Sequence, residues 1–115
     1  MHNRQYAEML IDDQSVARER ECMALDRSLK LMETASSRTS NPNDVFAAVT
    51  FTTKLWAVLV EDVMAPENAL PDALRAQIAS IGIWVLRELE SIRSQPGKRF
   101  DDVIEVSRAV RRGLE

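Results

Sequence analysis

Residues 55–81, LWAVLVEDVMAPENALPDALRAQIASI, place two strongly apolar helical patterns on either side of a turn marked by Pro66, Asn68 and Pro71. Prolines at that spacing stop one helix and open the next. Two apolar helices joined by so short a turn lie side by side and antiparallel, and neither can bury its surface without further helices. Both segments carry more hydrophobic surface than one buried face requires.

The rest of the chain supplies those further helices. A helical pattern opens at Ser15, a plausible N-cap, and runs to about Ala35, with Arg18, Cys22, Leu25, Leu29 and Met32 on one stripe. Tyr6, Met9 and Leu10 share the spacing and suggest a short preceding helix, which Asp12-Asp13 interrupts or caps. The linker 36–43, SSRTSNPN, ends in proline and asparagine, with Asn41 or Asn43 as the next N-cap.

The second helix is expected from about Asp44 to Met64, with Val45, Val49, Trp56, Val60 and Val63 on its core face. Phe51, Leu55 and Val58 form a second stripe, and polar residues keep to a narrow arc around Thr50, Lys54 and Glu61. A third helix starts near Pro71-Asp72. Its seam is Leu74, Ile78, Ile81, Val85, Leu89 and Ile92, with Ala76, Ala79, Ile83 and Leu86 as a smaller surface opposite. SQPGK (94–98) closes it, and Phe100 packs at the start of a last helix from about Asp101 to Gly113 that gathers Val103, Val106, Val110 and Leu114. The expected fold is all-α: a small antiparallel bundle of about four helices with a short N-terminal helical segment, in a single domain spanning 1–115.

Charge and composition narrow the function classes. Fifteen basic and eighteen acidic residues leave a net charge of −3, which gives no global pull toward nucleic acid or an anionic membrane. The longest apolar run, Leu55–Val60, is far short of a membrane span, and the N-terminus lacks the apolar run of a secretory signal. The single Cys22 forms no internal disulfide and suits a reducing cytoplasm. It lies on an apolar stripe, where packing is its expected role.

Catalytic chemistry cannot be assembled. His2 is the one histidine, so neither an HExxH zinc site nor a Cys–His pair of ordinary kind exists, and three isolated glycines make no phosphate loop. The adjacent acids Asp12-Asp13, Glu61-Asp62 and Asp101-Asp102 point about 100° apart on a helix and form no dyad. No cofactor, metal or small-molecule substrate is expected. Arg108, Arg111 and Arg112 are read as a solvated face favoured by the helix dipole. Trp56 falls on the core face, whereas Trp84 lies off the seam, where packing at the edge of the core and contact with a partner are both open. The stripe Phe51, Leu55 and Val58 is either covered by the first helix or the N-terminal segment, the favoured reading, or left for a partner, which makes Phe51, Leu55, Val58, Ile83 and Trp84 the candidate partner-binding residues.

The order of these motifs resembles the FlaF family of flagellar biosynthesis proteins of alphaproteobacteria. The likeness is carried by Leu55-Trp56 with Leu59 and Asp62, by Pro66-Glu67-Asn68-Ala69-Leu70-Pro71, and by Leu74-Arg75 and Ile78 to Ile81. Ser15 with Arg18-Glu19 and the tail Val103 to Leu114 extend it. The resemblance implies a cytoplasmic, non-enzymatic protein that acts as a flagellin secretion chaperone or positive regulator of flagellin synthesis, alongside FlbT. An amphipathic flagellin helix laid on a spare apolar stripe would serve the chaperone reading. The alternative is control of flagellin message translation through FlbT or RNA, in which case the 108–112 arginines would carry a salt-dependent contact.

Overall fold

A computed structural model describes the backbone of residues 2–114 and the side chains of residues 15–114. Four helices follow in order: α1 (His2–Ala35), α2 (Pro42–Met64), α3 (Asp72–Ser94) and α4 (Asp101–Gly113). Each helix packs on two neighbours, α1 on α2 and α4, α3 on α2 and α4, which closes an all-α bundle. No strand occurs among the described residues, so the β-branched VTFTT run at 49–53 is helical, as its longer period requires.

The helix ends follow local chemistry. Asn41 and Asp44 form a reciprocal capping box: the Asp44 amide donates to Asn41 Oδ1 at 3.0 Å, and the Asn41 amide donates to Asp44 Oδ2 at 3.1 Å. Pro42 occupies the first turn, so α2 begins two residues before the expected Asp44. The 66–71 turn is stapled from three sides. Asn68 Nδ2 donates to Asp62 Oδ2 at 3.2 Å, and the Leu70 amide donates back to Asn68 Oδ1 at 3.0 Å. Arg75, one turn into α3, donates from Nε to the Val63 carbonyl at 2.8 Å and from Nη2 to the Ala65 carbonyl at 2.9 Å. It thereby satisfies acceptors that the C-terminus of α2 would otherwise leave open. Gly97 takes a positive φ of 85° behind Pro96, the conformation a type II turn demands at that position.

One expectation at the N-terminus is corrected. α1 runs without interruption through Asp12-Asp13 and Ser15, so the short preceding segment and the first long helix are one element. Ser15 is an exposed residue inside it, not a cap. Expectations for the side chains of His2, Tyr6, Met9, Leu10, Asp12 and Asp13 lie outside the described residues. With 34 residues against 23 in α2 and α3, α1 outruns its neighbours, and residues 15–20 are all exposed.

Cys22, Leu25, Met32, Val49, Trp56, Ile78, Val85, Leu89, Ile92, Phe100, Val103 and Val110 are buried together. Val45, Leu74, Ile81 and Val106 are half-buried against them, and Leu59, which the stripe reading passed over, is buried on α2. Val60 is only half-buried, and it packs against the buried Gly82 of α3. One polar residue of α2 lies within its core face. Thr52 is fully buried, and its hydroxyl lies 2.7 Å from that of Ser28 on α1, so each satisfies the other inside the core.

Candidate functional site

The five candidate partner-binding residues do not share one face. Phe51 and Leu55 are half-buried, Leu55 against the core and Phe51 beneath the Arg27 guanidinium of α1, 5.3 Å from the ring centroid. Only Val58 of that stripe stands out, at 62% exposure. Ile83 (48% exposed) and Trp84 (39%) are consecutive on α3 and therefore point about 100° apart. Trp84, with Ser80 and Ile81, meets Val106 of α4 across an open groove of about 310 Å³. Its wall is almost wholly apolar, so water there gains few hydrogen bonds and an apolar side chain could displace it.

A larger surface feature was not anticipated. At the end of the bundle where the α1–α2 and α3–α4 connections meet, a groove of about 640 Å³ opens over Val45, Val49, Ile92 and Phe100. Phe46 stands at its edge, 70% exposed. The one signal for it in the sequence is a phenylalanine placed off the Val45–Val49 stripe at the start of a helix.

The arginines of α4 lie at the surface, as a solvated face requires, and two of them meet acids of α1 there. Arg108 Nη2 donates to Glu33 Oε1 at 2.7 Å, and Arg111 Nε donates to Asp26 Oδ1 at 3.0 Å. Both acids lie on α1, so these pairs bridge α1 and α4 at the surface, where exposure keeps the contribution of each small. Arg112 is exposed. Among the described residues no group of three His, Cys, Asp or Glu side chains is placed to hold a metal ion, and no helix is long and apolar enough to cross a membrane.

The titratable feature of most consequence is a carboxyl pair between α1 and α2. Glu21 and Asp62 line a small pocket with Arg18, Glu67 and Asn68 at the 66–71 turn. Burial, followed by the hydrogen bond to Asp62 and repulsion from its charge, pushes the Glu21 carboxyl up to about 7, with Arg18 opposing. Two carboxyls can hydrogen-bond only while one holds a proton. The folded state therefore binds that proton more tightly than the unfolded chain, whose glutamate titrates near 4.5. Stability is expected to fall as pH rises from about 4.5 through about 7. Thermal melts followed by circular dichroism across that range should show the fall in the wild type and a flatter profile in Glu21→Gln. A Gln variant with an unchanged profile would show that Glu21 is not the group responsible.

A family model described as flagellar protein FlaF matches residues 2–114, and the chain belongs to that family. No curated protein and no solved structure matches it.

Proposed function

We propose that this FlaF-family protein binds flagellin in the cytoplasm and keeps it soluble until export, acting as a secretion chaperone and thereby as a positive regulator of flagellin production, with FlbT as a second partner. The family match supports a flagellar role. The observation that carries the chaperone reading is the apolar groove between α3 and α4, with Trp84 left 39% exposed over it. An exposed tryptophan beside an apolar groove supplies the anchor that an amphipathic partner helix needs, and tryptophan is enriched where binding energy concentrates. Val58 on α2 and Ile83 on α3 offer further apolar contact on other faces, so a long segment would have to wrap the bundle to use them together.

No catalytic role is proposed. The reading in which the 108–112 arginines hold RNA has no unbroken basic surface to draw on, since Arg108 and Arg111 each face an acid of α1. A titration of purified flagellin tests the proposal. Trp84→Asp is expected to weaken binding at least about tenfold, as hot-spot truncations do, while the far-ultraviolet circular dichroism stays helical. Val58→Asp should cost less. Wild-type protein without affinity for flagellin, in the presence or absence of FlbT, would sink the chaperone reading.

A further inference from the structure

The small pocket at the 66–71 turn gathers charge from three elements. α1 contributes Arg18 and Glu21, α2 contributes Asp62 near its C-terminus, and the turn contributes Glu67. Among the described residues no charged side chain of α3 or α4 lines it. Three carboxyls therefore face one guanidinium around about 130 Å³ of space, and full ionisation would leave two like charges in excess. Glu67 is exposed, where water screens it. Asp62 accepts from Asn68 Nδ2 at 3.2 Å, which fastens it to the turn. Glu21 is half-buried, so ionisation costs most there and the shared proton rests on it.

Burial along α1 changes at the same point. Residues 15–20 are all exposed, Glu21 is half-buried, and Cys22, Leu25 and Ser28 lie in the core. From Cys22 onward the core holds α1. Ahead of it, Ala17, Arg18 and Glu21 face the pocket, whose apolar wall is Ala69 and Leu70.

We propose that Glu21 and Asp62 form a proton-operated latch: a shared proton closes residues 15–21 of α1 on the α2–α3 turn, and its loss lets them open while the bundle from Cys22 onward stays assembled. Repulsion is relieved by the least costly movement. Parting an exposed stretch of helix from Ala69 and Leu70 uncovers little apolar surface, whereas parting Leu25 and Met32 from the core uncovers whole side chains. Arg18 lies three residues from Glu21 on the same helix and moves with it, so it does not hold the latch shut. The turn stays behind, because Arg75 ties α3 to the Val63 and Ala65 carbonyls. Closed, the Glu21 carboxyl is pushed up to about 7, and open it returns to 4.5. The opening constant therefore rises with pH between those values and levels off above them. The pocket shares no residue with the Trp84 groove, so the latch stands or falls apart from the flagellin reading.

Amide hydrogen exchange on the full-length chain, followed by nuclear magnetic resonance and corrected for intrinsic rates, tests it. Once off the turn, residues 15–21 belong to a lone exposed helix, which is marginal in water and loses protection. From about pH 5 to about pH 7.5 the protection of amides 17–21 should fall at least about tenfold in the wild type. That exchange should not respond to about 1 M urea, unlike exchange at the buried Trp56 and Val85, which requires global unfolding. Glu21→Gln should keep the low-pH protection at pH 7.5, and Asp62→Asn, which removes the like charge by another route, should do the same. If amides 17–21 share the urea response of Trp56 and Val85, the pair acts through global stability alone and no latch exists. Protection at 17–21 that ignores pH, or that falls equally in both variants, would also overturn the proposal.

Discussion

Trp56→Ala is expected to remove a large part of the protein's folding free energy, while Trp56→Phe keeps most of it. Trp56 is fully buried at the centre of α2 and is the largest side chain in the core. Truncating such a residue costs about 3–5 kcal/mol through lost transfer energy and the cavity left behind. A domain of this size has only about 5–15 kcal/mol in total. Phenylalanine retains most of the packing and removes one liability. The indole Nε1 is buried without a hydrogen-bond partner. Leaving such a donor unpaired costs about 1–3 kcal/mol, which offsets much of the volume lost on going to Phe. Urea unfolding followed by circular dichroism should show a large drop in midpoint for Ala and a small one for Phe. If the two variants fall equally, the indole N–H holds the core through a hydrogen bond, and the packing account is wrong.

The fold was largely legible because most helix boundaries are set by residues that act locally. The Asn41–Asp44 box, Pro71-Asp72, Pro96-Gly97 and Asp101-Asp102 each stop or start a helix through their own dihedrals, hydrogen bonds or charge. The misreading at Ser15 has the opposite cause. A serine that could cap a helix costs only tenths of a kcal/mol inside one, and propagation of an existing helix adds a hydrogen bond per residue, so α1 continues through it. Thr52 was hidden for another reason: its partner, Ser28, lies 24 residues away, and nothing local marks a threonine as buried.

The candidate site was less legible, since rotation about one helix axis does not say which neighbour covers a face. Phe51 and Leu55 stand on the same stripe as Val58, yet α1 reaches the first through Arg27 and leaves the last open. Ile83 and Trp84 are adjacent in sequence and serve different faces. The end groove joins residues near 35–50 to residues near 92–100, a juxtaposition that only the closed bundle creates.

The second large effect is expected at the α2–α3 seam, where Gly82→Val should destabilise by roughly 3 kcal/mol or more through overpacking of a site with no room to relax. α2 and α3 form the most extensively packed pair in the bundle, and Gly82 is buried between them. A β-carbon at Gly82 would overlap Val60 Cγ2 and sit 3.4 Å from Trp56 Cε3. Val60 cannot swing away, because a β-branched residue in a helix has one strongly preferred rotamer. Alanine at position 82 sets two effects against each other. Helix propensity favours it over glycine by about 1 kcal/mol, whereas forcing a methyl into a packed seam costs about 1–3 kcal/mol. Gly82→Ala should therefore lose up to about 2 kcal/mol by this difference. Adding Val60→Ala removes the obstructing methyls and transfers the small residue to the other helix. That double variant should recover most of the loss, giving a coupling of about 1–2 kcal/mol between two positions in direct contact. Were Gly82→Ala to raise the melting temperature alone, helix propensity would outweigh the contact, and the close approach of α2 to α3 would not be what the glycine is there to permit.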